Sequence, residues 1–146
     1  MPNAPYTTYI GFGADLMRST DGSSYASVGN CQEIMAPDAR ASDKDISYVQ
    51  MAAPWRQFQP GMVDPGECTF KIFYNAAKFA VLFGDFSARV ARYWKVVFPD
   101  IVATSGSVLA FQGYVNGLSE PLAIDDEIIV ECKIKVSGQV TFTQAT

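Results

Sequence analysis

The chain has 146 residues, of which 49% are hydrophobic, 13% aromatic and 18% charged, the length and composition of one packed domain rather than of a disordered chain. A formal net charge of −4 argues against tight nucleic-acid binding, because phosphate neutralisation requires clustered Lys and Arg. Histidine is absent, which removes the commonest general base and a common zinc ligand. We therefore expect a single domain over residues 1–146 that binds no cofactor or metal.

The cysteines and the N-terminal residues predict the compartment. Cys31, Cys68 and Cys132 form no CxxC pair, and an odd number of cysteines fits a reducing environment better than a disulfide framework. No secretory signal and no apolar run of membrane-spanning length is present. The sequence predicts a protein made in a cytoplasm, with no membrane partner.

Alternating apolar residues predict the first strand over residues 9–17, with one face that carries Ile10, Phe12, Ala14 and Leu16. In this interpretation Gly11 and Gly13 are small residues within the strand. A hairpin partner follows the turn at Asp21 and Gly22. Residues 46–50 predict a further strand whose two faces are not clearly distinguished.

The strand over residues 67–74 has two distinct faces. The apolar face carries Cys68, Phe70, Ile72 and Tyr74, and the polar face carries Glu67, Thr69 and Lys71. Free cysteine is among the most buried residue types, so Cys68 is predicted to be a core thiol.

One helix is predicted after this strand. Asn75 is a suitable N-cap, and a stripe at helical spacing is formed by Phe79, Phe83, Phe86 and Val90. We expect this stripe to cover one flank of a sheet core.

The remaining pattern is again that of strands. One strand carries Trp94, Val96 and Phe98 and stops at Pro99, and another covers residues 108–115 and ends at a turn formed by Asn116 and Gly117. In the last strand the core face carries Ile128, Val130, Cys132, Ile134 and Val136, and the polar face carries Glu127, Glu131, Lys133 and Lys135. About eight strands with one helix predict a β-sandwich.

Two long segments show no regular pattern. Residues 33–44 are a polar connection that contains Asp38 and Arg40, and residues 52–66 contain three prolines together with Trp55, Arg56, Phe58 and Met62. Long irregular loops in compact domains are often functional, and large apolar side chains anchor interfaces. Two interpretations stay open: these side chains contact other subunits, or they fold back onto their own domain.

The candidates for catalysis are two groups of carboxylates, because two acids can divide acid and base roles without histidine. One group is Asp43 with Asp45, and the other is Asp125, Asp126 and Glu127. Each group is interpreted as part of a solvated turn next to a strand. We therefore expect no catalytic residue.

The order of these elements resembles the lambda-like tail tube proteins of long-tailed bacteriophages. The matching segments are the opening strand with its glycine-containing turn, the sequence PGMVDPGE at residues 60–67, the strand and helix that follow, YWKVVFPD at 93–100, and FQGYVNGL at 111–118 before the last strand. By comparison with this family, we expect the chain to lack the additional C-terminal domain that some members carry.

The resemblance implies a mainly β fold, a β-sandwich flanked by one α-helix with long interface loops. It also implies rings of six copies that stack into a tube, with four strands of each subunit in an inner barrel. A barrel of about 24 strands would be about 45–50 Å across at the backbone. Genomic DNA would pass through this bore without specific binding, repelled by an acidic lining.

The resemblance also implies partners, a location and two sets of residues. The partners are other copies of the chain and the tape measure, tail tip and tail terminator proteins, in a virion tail that assembles in the host cytoplasm. Candidate contacts between subunits or rings are Trp55, Arg56, Phe58, Met62, Asp38 and Arg40. Candidate lumen-facing residues are Glu67, Thr69, Lys71, Glu131, Lys133 and Lys135.

Three alternatives stay open at this point. The first is the tube protein of a contractile tail or related secretion system, which shares the fold and also assembles as stacked rings. The second is a carboxylate-dependent hydrolase. The third is a monomeric sugar- or peptide-binding sandwich, in which Trp55, Phe58 and Trp94 would supply stacking surfaces.

Overall fold

The computed structural model describes residues 11–100 and 106–145. In these residues the chain is mainly β, with a single helix between strands. The elements are β1 (Asp15–Ser19), β2 (Ala26–Ser27), β3 (Cys31–Met35), β4 (Arg40–Asp45), β5 (Phe58–Asp64), β6 (Glu67–Phe73), α1 (Ala76–Ala88), β7 (Arg92–Val97), β8 (Val108–Ser119), β9 (Ile129–Val136) and β10 (Thr141–Thr143).

Eight strands form one antiparallel sheet in the order β2-β1-β7-β8-β9-β6-β3, with β10 also paired to β8. The long strand β8 connects the two halves of this sheet. Its residues 108–113 pair with β7, and its residues 113–119 pair with β9. β4 and β5 pair with each other in a separate two-stranded sheet.

The large sheet is folded on itself around a single core. Phe70 on β6 and Trp94 on β7 are three strand spacings apart in the sheet, which would be roughly 14 Å if the sheet were flat. Their ring centroids are only 6.3 Å apart, so the inner faces of the two halves pack against each other. The buried Trp94 indole Nε1–H donates to the Gly113 carbonyl oxygen at 3.1 Å. This arrangement confirms the predicted β-sandwich.

The two strands with the clearest alternation, β6 and β9, lie side by side, and the predicted apolar face of each is buried. On β6 and β9 the residues Cys68, Phe70, Ile72, Val130, Cys132 and Ile134 are all fully buried. Burial raises the pKa of the Cys68 thiol to about 12 and that of Cys132 even further above its ordinary value. Both cysteines are core thiols, as the sequence predicts.

Thiol labelling checks this assignment, because the thiolate is the reactive form and burial disfavours it. In the native protein at pH 8, Cys68 and Cys132 are expected to react with a maleimide at least 100-fold more slowly than after denaturation. Cys31, which is only partly buried, serves as the internal comparison. Rapid labelling of Cys68 or Cys132 in native protein would show that the strand faces are reversed.

The helix begins where the sequence predicts, and two of the four residues of the predicted stripe pack against the core. The Asn75 Oδ1 accepts the N–H groups of Ala77 and Lys78 at 3.1 and 3.4 Å. Phe79 and Phe86 of this stripe are partly buried against the core, whereas Phe83 and Val90 are exposed. The fully buried positions of the helix are Leu82 and Asp85. The helix is rotated toward Asp85 because this carboxylate accepts hydrogen bonds from Arg18 of β1 and Arg92 of β7.

The first predicted strand is too long at its N-terminal end. Residues 11–13 form a turn in which Ala14 N–H donates to the Gly11 carbonyl at 3.2 Å and Gly13 adopts a φ of +93°. Phe12 is therefore exposed rather than part of a core face, and β1 starts at Asp15. Tyr9 and Ile10 lie outside the described residues.

Three further boundaries differ from the sequence prediction. Residues 33–44 include the end of β3 and most of β4, so they are not an irregular connection, and residues 46–50 lie beyond β4 instead of forming a strand. Asn116 and Gly117 do not end a strand, since β8 continues to Ser119 through a register shift at this point. A β-bulge of this kind bends the strand while pairing continues beyond it.

Two residues that were predicted on apolar core faces, Tyr74 and Ile128, are exposed, because they lie at the end of the sheet.

Candidate assembly surfaces

The strands β4 and β5 form an arm, here defined as residues 40–64. Every residue of both strands is exposed, and among residues 11–100 and 106–145 both strands pair only with each other. An isolated two-stranded hairpin is marginally stable in water. The arm therefore offers its side chains and its two strand edges to a neighbouring molecule.

The candidate contact residues of the predicted loop all lie on this arm. Trp55 is 79% exposed, and Phe58 and Met62 are also exposed. Arg56 makes only a loose ion pair with Asp45, 3.9 Å from Nη1 to Oδ2. The interpretation that these side chains fold back onto their own domain is wrong.

Asp38 and Arg40 lie at the base of the arm, where Asp38 has a role within the chain. Its Oδ1 accepts the Glu67 N–H at 3.1 Å, and this hydrogen bond holds the pKa of Asp38 below its ordinary value. Gly66 adopts a φ of +78°, and a Cβ at this position would lie 2.2 Å from Asp38 Oδ1. Asp38 and Gly66 thus fix the path by which the arm leaves the sheet, while contact of Asp38 and Arg40 with another subunit stays a prediction.

The six candidate lumen-facing residues share one outward face of β6 and β9. The register places Glu67 opposite Lys135, Thr69 opposite Lys133 and Lys71 opposite Glu131. On the next strand Glu33 lies opposite Lys71, with Lys71 Nζ 3.7 Å from Glu33 Oε2. The structure therefore brings together all the residues of this predicted set.

This face is not acidic, in contrast to the lining expected from the overall charge. Three glutamates, Glu33, Glu67 and Glu131, stand among three lysines, Lys71, Lys133 and Lys135. Opposite charges on cross-strand neighbours stabilise a sheet. The acidic excess lies elsewhere, in the loop of residues 120–128 between β8 and β9, which carries four acidic residues and no Lys or Arg. Net charge alone does not locate the charges.

The half-sheet β8-β9-β6-β3 has two unpaired edges among the described residues. β3 is the terminal strand of the sheet order. On the other side, β7 pairs with β8 only as far as Gly113, so residues 114–119 of β8 pair with β9 alone. Unpaired N–H and C=O groups at a sheet edge are a template for pairing with another chain.

The predicted carboxylate groups are on different parts of the molecule. Asp43 and Asp45 are within β4 rather than in a turn, and Asp125, Asp126 and Glu127 are in the loop between β8 and β9. Within residues 11–100 and 106–145, no group of three or more Cys, Asp or Glu residues is placed to hold a metal ion. The same part of the chain contains no helix that combines the length and the apolar character needed to span a membrane.

Sequence reasoning missed a second exposed apolar surface. Leu122 and Ile124 lie in the loop between β8 and β9, and Ile124 is 98% exposed. No periodicity marks them, and the only signal is the position of two aliphatic residues beside an acidic triplet. Conversely, Trp94 is buried and offers no stacking surface to a ligand.

Comparison with known proteins supports one family. A family model described as the lambda phage tail tube protein matches residues 8–143, whereas no curated protein sequence matches. Among solved structures, the tail of an empty GTA particle superposes with a TM-score of 0.74 at 13% identity, covering 93% of this chain and 99% of that chain.

Two other tubes have the same fold. The SPP1 tail tube has a TM-score of 0.69 at 10% identity, covering 94% of this chain and 80% of that chain. The PVC sheath–tube complex of an extracellular contractile injection system has a TM-score of 0.69 at 10% identity, covering 97% of this chain and 95% of that chain. Because the family model matches residues 8–143 of this sandwich fold, the chain belongs to the lambda phage tail tube protein family.

Proposed function

We propose that the chain is the major tube subunit of a long non-contractile tail, in which six copies form a ring and rings stack around a bore for DNA. The observation that carries this proposal is the half-sheet β8-β9-β6-β3, with one face in the core, one polar outward face and two unpaired edges. The proposed role of the chain is structural and not enzymatic. It would act in the virion tail, after assembly in the host cytoplasm.

The strand directions support ring closure by pairing of these edges. Neighbours in the half-sheet are antiparallel throughout, so β3 runs opposite to β8. When β3 of one subunit lies beside β8 of the next, the pairing between subunits is also antiparallel. Repetition of this head-to-tail contact closes a ring, and six subunits give about 24 strands and a barrel about 45–50 Å across.

The outward face of β6 and β9 suits a surface over which DNA slides. Each lysine has a glutamate close to it, on a neighbouring strand or on its own strand. Because these glutamates lie within a Debye length of about 8 Å, their repulsion of phosphate offsets the attraction by the lysines. DNA would therefore meet a hydrated surface without a continuous positive stripe. The other partners would be the tape measure, tail tip and tail terminator proteins.

The experiment that tests this orientation measures access to the bore. In a Cys31→Ser background, Lys133→Cys places a thiol on the outward face of β9, and Ser87→Cys places one on α1, behind that sheet. A maleimide coupled to a folded protein wider than the bore should label Lys133→Cys at least 10-fold more slowly in tubes than in unassembled subunits. Ser87→Cys is the control. Equal labelling of the Lys133→Cys variant in both states would contradict the lumen assignment.

The tube of a contractile tail or secretion system is the second candidate, favoured by the similarity to the contractile injection system tube. Its ring and bore would follow the same logic. Co-purification of a sheath protein on the outside of isolated tubes would favour this candidate, and bare tubes would favour the non-contractile tail.

A further inference from the structure

The arm and the loop between β8 and β9 lie at opposite ends of the half-sheet. The arm leaves next to Glu67 and Lys135, at the first pair of the β6–β9 ladder, and the loop precedes Ile129, which pairs with Phe73 at the last. Seven residues of β6 separate these ends, about 20–23 Å along the strand. When rings stack in one direction, the arm end of one ring faces the loop end of the next.

The tip of the arm contains a concave surface that is polar and apolar in about equal parts. A cavity of about 430 Å³ is lined by residues 47–49 and 51–56, which we call the tip cup. Tyr48, Val49 and Trp55 in its wall are exposed. Arg56 is the only charged residue in the tip segment 46–57, so the cup combines apolar area with one cation.

The loop of residues 120–128 has complementary properties. Leu122 and Ile124 project into solvent, and the loop carries four acidic residues, Glu120, Asp125, Asp126 and Glu127, with no Lys or Arg. Exposed aliphatic side chains beside a cluster of one charge are typical of a contact with a surface of opposite charge.

We infer that the tip cup binds Leu122 and Ile124 of a second copy of this chain in the neighbouring ring, with Arg56 paired to Asp125 or Asp126 of that copy. This inference rests on the proposed stacking of rings and specifies which surface receives the arm. The cup is large enough for two aliphatic side chains. The contact occurs between copies, because the two surfaces of one chain lie at opposite ends of its sheet.

Disulfide cross-linking tests the contact. In a Cys31→Ser background, the double variant Val49→Cys/Ile124→Cys should form tubes under reducing conditions. After oxidation it should give a ladder of covalent oligomers, because each subunit is linked to one above and one below. An equimolar mixture of the two single variants should give dimers only. Tubes of the double variant without any ladder after oxidation would overturn the inference and leave the proposed tube intact.

Charge reversal provides a second, independent readout. Arg56→Glu alone and Asp125→Lys/Asp126→Lys alone should each reduce the yield of long tubes at least 10-fold, and the combination should restore at least half of the normal yield. Lys95→Glu makes the same charge change on β7, outside the arm, the loop of residues 120–128 and the half-sheet β8-β9-β6-β3, and should leave the yield within 2-fold. No recovery in the combined variant, with normal melting of all subunits, would contradict the pairing. Absence of tubes from the unmodified protein would overturn the proposed function itself.

Discussion

Replacing Asp85 by Ala is expected to lower the free energy of unfolding of the isolated subunit by about 3–5 kcal/mol. The Asp85 carboxylate is only 3% exposed and accepts from Arg18 Nη2 at 2.7 Å and from Arg92 Nε at 3.1 Å. Its removal leaves two partly buried guanidinium groups without their anion. Such a loss is a large part of the 5–15 kcal/mol typical of a domain.

Urea denaturation of unassembled subunits provides the measurement, with Asp126→Ala as the control. Asp126 is exposed in the loop between β8 and β9, and its replacement should change the free energy of unfolding by less than about 0.5 kcal/mol. A loss below about 1 kcal/mol for Asp85→Ala would show that the two arginines are stabilised without this carboxylate. The ion pair would then not fix α1 on the sandwich.

Replacing Trp55 and Phe58 together by Ala is expected to weaken ring stacking by about 2–4 kcal/mol per arm, the scale of an interface hot spot. Folding of the subunit should change little, because both side chains are exposed on an arm that does not touch the core. Val81→Ala on α1 serves as the control, because it also removes an exposed apolar side chain, away from the arm.

Two measurements together decide this prediction. Thermal melting of the unassembled double variant should match that of the unmodified subunit, whereas sedimentation should show loss of long assemblies. A lowered melting temperature with normal assembly would mean that the two aromatic rings stabilise the subunit itself rather than the contact between rings.

The strands β6 and β9 are the part of the fold that could be predicted best from the sequence. Cys68, Phe70 and Cys132 alternate with charged residues because one face of each strand is buried, and periodicity reports burial. The same periodicity placed the six outward residues on the polar faces of the two strands, and the observed pairing of β6 with β9 brought them together. The charge balance of this face followed only from the observed pairing.

The arm could not be predicted as a pair of strands, since neither of its faces meets a core. Residues 40–45 and 58–64 therefore show no alternation, and their strands are defined by backbone pairing alone. The residues themselves indicated a long loop whose large apolar side chains either contact other subunits or fold back onto their own domain, and the family resemblance favoured the first interpretation.

The burial of Asp85 on α1 and the exposed aliphatic residues of the loop 120–128 were missed for a different reason. From the sequence alone, Asp85 is interpreted as a solvated helix residue. Its partners Arg18 and Arg92 give no signal, because Arg18 is distant in the sequence and Arg92 follows the end of the helix. Leu122 and Ile124 are isolated aliphatic residues in an acidic loop. Their exposure becomes visible only when the ends of β8 and β9 are located.

Electron microscopy of the concentrated, unmodified protein tests the central claim most directly. We expect hollow tubes whose end-on views have six-fold symmetry, with an inner β-barrel about 45–50 Å across at the backbone and the outward face of β6 and β9 toward the bore. Subunits that stay monomeric at every concentration, or filaments without a central bore, would contradict the assignment of this chain as the wall of a DNA conduit.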